Sequence, residues 1–149
     1  MTQATTQQVA QFLTDYGWHY ETRQDGLLVT GFQGTNGSFR LFVQVEGPWL
    51  VLVIVPFVPR PTPECHDRFC AYLARLNYRM NLAKLALDND GDVTLLAEVR
   101  ADDLRFEDLA AALDVLCFYA DEHYQPLAHL AADPRYEPPE DRTGTEVGA

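Results

Sequence analysis

The chain has 149 residues, enough for a single domain whose core needs neither disulfides nor metal. A hydrophobic share of 47% and an aromatic share of 11% are typical of a folded protein and exclude a disordered regulator. Eleven basic residues against 22 acidic ones leave a net charge of −11, which disfavours direct binding of nucleic acid and favours basic partners. Solubility alone is the alternative reason for such a charge.

No segment of the sequence is typical of export or of a membrane span. The first ten residues are polar and lack the basic start and apolar centre of a signal peptide. The longest apolar run has about nine residues, against the ~20 that a spanning helix needs. Three cysteines, an odd number in apolar surroundings, indicate free thiols: Cys65, Cys70 and Cys117. We therefore expect a cytoplasmic protein without a membrane partner.

The first third of the chain predicts a helix followed by a run of strands. An apolar stripe with helical spacing from Val9 to Tyr16 ends at Gly17, a residue suited to a left-handed helix end. Turn residues then separate short alternating segments, which predicts antiparallel pairing. In the third of these segments Phe42 is the exception on an otherwise polar face. The predicted elements are a helix that begins after Thr5 or Thr6 and strands at 18–22, 27–33 and 38–46.

The stretch from Trp49 to Phe57, WLVLVIVPF, is apolar on both faces of a predicted strand. Leu50, Leu52 and Ile54 point to one face, and the odd-numbered residues point to the other. A strand with two apolar faces must be covered on both sides, by this chain or by a second copy of it. The pattern is a first indication of an interaction protein.

The second half of the chain predicts a helix, a hairpin and a long final helix. Prolines stop the sheet after the central strand, and Thr62 is a good cap for the next helix. Val115, Phe118 and Tyr119 widen the apolar sector of the final helix beyond what packing on one sheet face needs. Pro126 should kink or end that helix. The predicted elements are a helix from Thr62 to about Leu76, strands at 82–87 and 93–99, and a helix from Phe106 into the 120s, with another turn or two at 127–132.

The predicted order is therefore α-β-β-β-β-α-β-β-α, an α+β domain with a mainly antiparallel sheet and three helices. We assign residues 1–132 to this single domain. From Asp133 the composition changes to prolines and acids with almost nothing to bury. Such a composition predicts an acidic, disordered tail at 133–149.

No pattern in the sequence selects a catalytic, cofactor or metal site. The acidic run Asp88–Asp92 lacks the glycine and the glutamate that a calcium loop needs further along, so a hairpin turn is the better interpretation. Cys65, His66 and Cys70 have no second ligand pair for zinc. There is neither a nucleophile elbow nor a phosphate-binding glycine motif followed by a helix. The acids at 102–108 suit a helix start, although a paired-carboxylate catalyst there stays open.

Six short segments carry a family resemblance through their order and spacing: Gly17–Glu21, Phe32–Gly34, Asn36–Phe39, Leu76–Tyr78, Asn81–Asp88 and Asp90–Val93. Together they resemble the YbjN family of bacterial proteins over about Val9 to Tyr124. The resemblance implies a fold similar to type III secretion chaperones such as the Tir chaperone group, with helices on an antiparallel sheet and two copies paired. It further implies binding of segments of other proteins, without catalysis or cofactor, and it assigns no functional residues.

The sequence leads to one preferred function and two alternatives. We expect a non-enzymatic protein-binding module with chaperone or adaptor character, which acts as a homodimer on a protein client and needs no cofactor. The acidic charge favours a basic client, for example a nucleic-acid-binding protein. The expected partner or dimer surface consists of Phe42, Leu50, Leu52, Ile54, Val115, Phe118 and Tyr119. The alternatives are an enzyme or small-molecule sensor with a pocket between helices and sheet, near Asp102 or near Tyr72 and Tyr78, and a purely structural or regulatory subunit.

Overall fold

The structure is a computed structural model that describes residues 2–139, which form a six-stranded antiparallel sheet and three α-helices. The elements are α1 (Thr6–Tyr16), β1 (Glu21–Thr22), β2 (Leu28–Gln33), β3 (Ser38–Glu46), β4 (Trp49–Ile54), α2 (His66–Arg79), β5 (Ala83–Leu87), β6 (Val93–Arg100) and α3 (Phe106–Ala132). The strands lie in the order β1-β2-β3-β4-β6-β5. The predicted α+β class and the predicted element order are confirmed.

Local hydrogen bonds explain where α1 begins and ends. Thr5 and Gln8 form a capping box: the Thr5 hydroxyl accepts from the Gln8 N–H at 3.1 Å, and the Gln8 side chain accepts from the Thr5 N–H at 2.9 Å. At the other end Gly17 has φ 100°, a left-handed conformation that glycine adopts without strain. The Trp18 N–H then donates to the Leu13 carbonyl at 3.0 Å. This turn places Trp18 beside the end of the helix.

The helices cover one face of the sheet and form the core with it. Leu50, Leu52 and Ile54 of β4 are 0%, 0% and 2% exposed, and they belong to one buried cluster with side chains from all three helices. Burial of each such side chain stabilises the fold by about 2 kcal/mol. The expectation that these three residues form a partner surface is therefore corrected, because the helices of the same chain already cover them.

Two strands are shorter than predicted. The segment 18–22 contributes only Glu21–Thr22 to the sheet. Beside it the Thr30 hydroxyl, rather than a backbone N–H, donates to the His19 carbonyl at 2.6 Å, so the ladder is interrupted. The central strand ends at Ile54, since Pro56 has no N–H to donate to a neighbouring strand.

The start of α2 differs from the prediction, and the end of α3 matches the further turns predicted at 127–132. The Thr62 hydroxyl accepts from the Cys65 N–H at 3.3 Å, but it stabilises a turn, and α2 begins only at His66. Pro126 does not end α3, which continues to Ala132. A proline inside a helix costs about 3 kcal/mol. Leu127 and Leu130, both fully buried beyond it, each stabilise the last turns by about 2 kcal/mol and outweigh that cost.

The chain remains in contact with the domain after α3. The Arg68 guanidinium donates to the Pro134 carbonyl at 2.9 Å and also to the Tyr136 carbonyl. The Tyr136 ring lies 5.2 Å from the His129 ring, centroid to centroid. The first residues of the tail predicted at 133–149 thus pack on α2 and α3. Residues 140–149 of that tail lie outside the described residues, and the domain boundary stays a prediction.

Candidate protein-binding surfaces

The face of the sheet opposite the helices is partly exposed in the described chain, and we call it the open sheet face. Val51 and Val53 alternate with the buried leucines of β4 but keep partial exposure, and Trp49 is 42% exposed. Directly opposed residues of neighbouring strands share a face, so the strand register adds Val29, Phe42 and Leu96 to these three. The open sheet face is therefore apolar along β4 and across the row of Phe42, Val53 and Leu96, whereas Gln44 and Glu98, which flank Val51, are polar.

One row of directly opposed residues crosses all six strands, and we call it the central row. In order it consists of Glu21, Val29, Phe42, Val53, Leu96 and Lys84. Its two ends carry opposite charges, while its four middle residues are apolar. An apolar centre with a polar rim is the usual anatomy of a protein interface.

Charged side chains form the rim of the open sheet face. The Lys84 ammonium pairs with the Glu98 carboxylate at 2.8 Å, and both side chains are more than a third exposed. The Arg100 guanidinium lies 5.2 Å from the centre of the Trp49 ring and also pairs with Asp102. Such exposed pairs add little to stability, so their main effect is to surround the apolar centre with charge.

A second surface lies between the end of α1, the β2–β3 loop and α3, and we call it the aromatic cleft. Its volume is about 820 Å³. It is lined by Tyr16, Trp18, Phe32, Gln33, Gly34, Thr35, Cys117, Phe118, Asp121 and Glu122. Phe118 is 62% exposed, which is unusual for a phenylalanine and leaves its ring available for contact. The cleft therefore combines aromatic side chains with two carboxylates.

The aromatic wall of the cleft begins at the turn that ends α1. The Trp18 and Phe32 rings stack with centroids 5.4 Å apart and planes 20° apart. The Tyr16 ring meets Trp18 edge to face at 5.3 Å. The Tyr16 hydroxyl donates to Asp114, and burial together with this contact raises the pKa of Tyr16. Tyr16 is consequently held as a neutral phenol across the physiological range.

The β2–β3 loop is held against α3 by one aspartate. An Asp121 carboxylate oxygen accepts from the Asn36 N–H at 2.7 Å, and the Asp121 carbonyl accepts from the Asn36 side-chain amide at 3.1 Å. A Cβ at Gly34 would lie 2.7 Å from the Asp121 carboxylate, so any other residue at this position would displace that carboxylate. These contacts set the width of the cleft on its acidic side.

Cys117 lines the cleft but is unsuited to act as a nucleophile at neutral pH. Burial, with a smaller contribution from Asp114, raises the pKa of the Cys117 thiol to about 11. Because the thiolate is the reactive form, the thiol stays unreactive under ordinary conditions. The cleft therefore gives no support to cysteine catalysis.

The seven residues predicted as a partner surface fall in four places. Phe42 lies on the open sheet face, and Phe118 lies on the aromatic cleft. Val115 and Tyr119 pack partly buried against the core, and the Tyr119 hydroxyl accepts from the Asn81 N–H at 2.9 Å. The other three are the core residues of β4 described above. The structure thus separates the prediction into two surfaces.

Of the residues suggested for a small-molecule pocket, Tyr72 and Tyr78 do not come together, whereas Asp102 and Asp108 line one cavity of about 340 Å³. Tyr72 is 1% exposed in the core, Tyr78 is 78% exposed, and Asp102 pairs with Arg100. The segment Asp88–Asp92, which follows β5, forms the predicted hairpin turn. In it the Asp88 carboxylate accepts from the N–H groups of Asp90 and Asp92. Within residues 2–139 no group of three or more His, Cys, Asp or Glu side chains is placed to hold a metal ion.

The aromatic cleft is the feature that the sequence patterns missed. Tyr16 and Trp18 follow α1, Phe32 ends β2, and Phe118 and Asp121 belong to α3. No local period joins segments so far apart. The only indication in the sequence was the widened apolar sector of the final helix, which included Phe118.

Among the described residues, none of the helices is long and apolar enough to cross a membrane.

Comparisons with known proteins agree on one fold. The model of the YbjN family, described as "Putative bacterial sensory transduction regulator", matches residues 5–128. None of the curated proteins matches the chain. The solved structure of YbjN from E. coli, described as "a putative transcription regulator", superposes with a TM-score of 0.58 at 12% identity, over 80% of this chain and 91% of that chain.

Two further solved structures come from type III secretion systems. The heterodimeric ExoU–SpcU complex of Pseudomonas aeruginosa contains a chain with a TM-score of 0.57 and 19% identity, over 85% of this chain and 98% of that chain. The Yersinia pestis chaperone SycH, solved with a stable fragment of YscM2, gives a TM-score of 0.50 and 19% identity, over 74% of this chain and 91% of that chain. The predicted similarity to type III secretion chaperones is confirmed at the level of the fold.

Proposed function

The chain belongs to the YbjN family, and from that premise we propose that it is a non-enzymatic protein-binding module with chaperone or adaptor character, acting as a homodimer on a protein client. Two structures with the same fold, ExoU–SpcU and SycH with its YscM2 fragment, are complexes with protein partners, which supports this choice. The proposal includes no catalytic step and no cofactor. With a net charge of −11, direct binding of nucleic acid is not part of it.

The observation that carries the homodimer is the open sheet face. Its apolar middle, from Phe42 to Leu96, is partly exposed and of the kind that soluble proteins cover with a partner, while Val29 beside it is already buried within the described chain. Two such faces can pack against each other at the ~10 Å spacing of stacked sheets. We assign this face to a second copy of the chain.

The charges of the central row favour one arrangement of the two copies. A two-fold axis parallel to the strands lays each row over the reversed row of its partner. Phe42 then faces Val53 of the second copy, and Glu21 faces Lys84 at both ends. An axis perpendicular to the strands would instead place like charges together, so the first arrangement has the better electrostatic complementarity.

The client is assigned to the remaining surface, and its chemistry follows from charge. A chain with 22 acidic and 11 basic residues attracts basic segments of other proteins. A nucleic-acid-binding protein, whose own surface is basic, would be a suitable client. The acidic charge accordingly contributes to partner choice as well as to solubility.

Substitution of Phe42 by glutamate tests the dimer. Phe42→Glu places a negative charge against Val53 of the second copy on each side of the two-fold axis, and it should convert the dimer to a monomer in light scattering without a change in the circular dichroism spectrum. Tyr78→Glu makes the same change in polarity at an exposed position of α2 and should leave the mass unchanged. An unchanged dimer in Phe42→Glu, or a wild-type monomer at high concentration, would refute the assignment.

A regulatory or sensory protein with a small-molecule pocket is the second candidate, and the volume of the aromatic cleft favours it. Binding of a metabolite would raise the thermal unfolding temperature, by an amount that grows with the logarithm of its concentration above the dissociation constant. A screen of uncharged metabolites that produces such a concentration-dependent shift, lost when Trp18 is replaced by alanine, would favour this candidate. If no metabolite changes the unfolding temperature, the result would favour a protein client.

A further inference from the structure

The aromatic cleft has a strongly one-sided chemical character. Four of its ten lining residues are aromatic, two are acidic, and none is basic. Its aromatic members are Tyr16, Trp18, Phe32 and Phe118. Aromatic ring faces and carboxylates both attract cations, so the two halves of the cleft favour the same class of ligand.

The two carboxylates of the cleft keep hydrogen-bonding capacity for a ligand. Asp121 uses one oxygen for the Asn36 N–H, but its second oxygen has no donor within the described part of the chain. Glu122 has no hydrogen-bond or ion-pair partner there either. An ionised carboxylate offers about four acceptor positions, so most of this capacity is free. The rigid contact to Asn36 fixes Asp121 in place before any ligand arrives.

The aromatic side chains of the cleft are also held in position before a ligand binds. Trp18 is held by the left-handed turn at Gly17 and by its stack on Phe32. Phe118 projects from α3 with 62% of its surface exposed, although burial of an apolar ring away from water is favourable. A ligand that covers Phe118 while pairing with the carboxylates would satisfy both halves at once.

We propose that the aromatic cleft binds the guanidinium group of an arginine side chain that the client protein presents. The identity of the occupant as part of a client rests on the function proposed above. A guanidinium is planar, weakly hydrated and always charged, and it stacks on aromatic rings while donating in the direction of carboxylates. Lysine would use the carboxylates without stacking as a plane, and an apolar side chain would leave both carboxylates without a donor.

The test is a titration of the full chain, labelled with nitrogen-15, with Nα-acetyl-arginine amide followed by NMR. The indole N–H of Trp18 and the backbone N–H of Asp121 should shift in a saturable manner, with a dissociation constant in the millimolar range typical of so small a ligand. The citrulline counterpart has the same shape without the charge and should produce no saturable shift. Added salt should weaken the arginine complex.

Two substitutions locate the site. Glu122→Gln should weaken arginine binding about three- to tenfold, since it removes one charge-assisted pair. Asp121→Asn retains a carbonyl acceptor for the Asn36 N–H, so the loop stays in place while the charge is lost, and it should have a similar effect. Glu64→Gln removes the same charge from an exposed position before α2 and should leave the affinity unchanged.

The outcomes separate this inference from the proposed function. Equal binding of the citrulline compound, unchanged affinity in both cleft variants, or no saturable shift would overturn the arginine site. The titration needs neither client nor dimer, so Phe42→Glu should bind the arginine compound as the unchanged chain does. An unsubstituted chain that is monomeric but binds arginine would reject only the dimer, and an unsubstituted chain that is dimeric but does not bind arginine would reject only the cleft.

Discussion

At the scale of single residues, Cys117 shows how the fold changes the chemistry of a side chain. The thiol lies partly buried on α3 beside Asp114, and its pKa is raised from 9.0 to about 11. The folded chain therefore retains a proton that the unfolded chain loses. The resulting stabilisation is fully present below pH 9 and is lost as the pH rises toward 11.

Alkylation measures this shift directly. We predict that the rate of Cys117 modification by iodoacetamide, followed by peptide mass spectrometry, rises about tenfold per pH unit up to pH 10 without levelling off. In the urea-unfolded chain the rate of the same peptide should level off near pH 9, the ordinary pKa of the thiol. A plateau below pH 10 in the folded chain would show that the thiol is not protected in this way.

At the scale of elements, the free edge of β5 is closed by one side chain of α2. The Asn77 amide accepts from the Leu85 N–H and donates to the Leu85 carbonyl, both at 2.8 Å. It thereby occupies the outward-pointing backbone groups of Leu85, to which a further strand would pair. β5 lies at the end of the sheet, so this contact matters for self-association as well as for stability.

We predict that Asn77→Ala lowers the free energy of unfolding by about 2 kcal/mol, because two part-buried backbone groups lose their partner. Urea unfolding measures the loss, and hydrogen exchange should show the Leu85 amide exchanging faster than its neighbours in β5. Tyr78→Ala, at the next and largely exposed position, should cost far less. Equal effects of the two substitutions would mean that Asn77 acts only through helix propensity.

The elements also show what the sequence could and could not predict. The alternation of residues in β3 and β4 predicted which side chains share a face of the sheet, and the register of the two strands confirms this assignment. It could not predict which apolar face of β4 the helices cover, because Leu52 and Val53 are equally suited to burial. That choice depends on where the three helices pack, which is a property of the whole chain.

The aromatic cleft illustrates the same limit for the site. The sequence showed that Phe118 lies outside the apolar stripe that α3 needs for packing on the sheet, and in the structure it is exposed. Its neighbours Trp18 and Asp121 carried no signal, since a tryptophan after a helix and an acid on a helix are both ordinary. Only the packing of α1 and the β2–β3 loop on α3 brings them together.

At the scale of the whole molecule, the net charge of −11 acts differently on the two proposed contacts. Two copies of an acidic chain repel each other, and this repulsion is screened beyond about 10 Å at 0.1 M salt. We predict that the dimer tightens severalfold between about 20 mM and 500 mM sodium chloride in sedimentation equilibrium, whereas arginine binding weakens. A dimer that dissociates as salt rises would indicate that the pairs between Glu21 and Lys84 dominate over net charge.

The two tryptophans of the chain divide between the two surfaces. Trp18 belongs to the wall of the aromatic cleft, and Trp49, 42% exposed, stands on the open sheet face. Each surface therefore contains its own intrinsic fluorophore. A Trp49→Phe chain would report by emission on occupancy of the cleft, and a Trp18→Phe chain would report by a blue shift on pairing of the sheets. Neither contact needs an attached dye to be followed in real time.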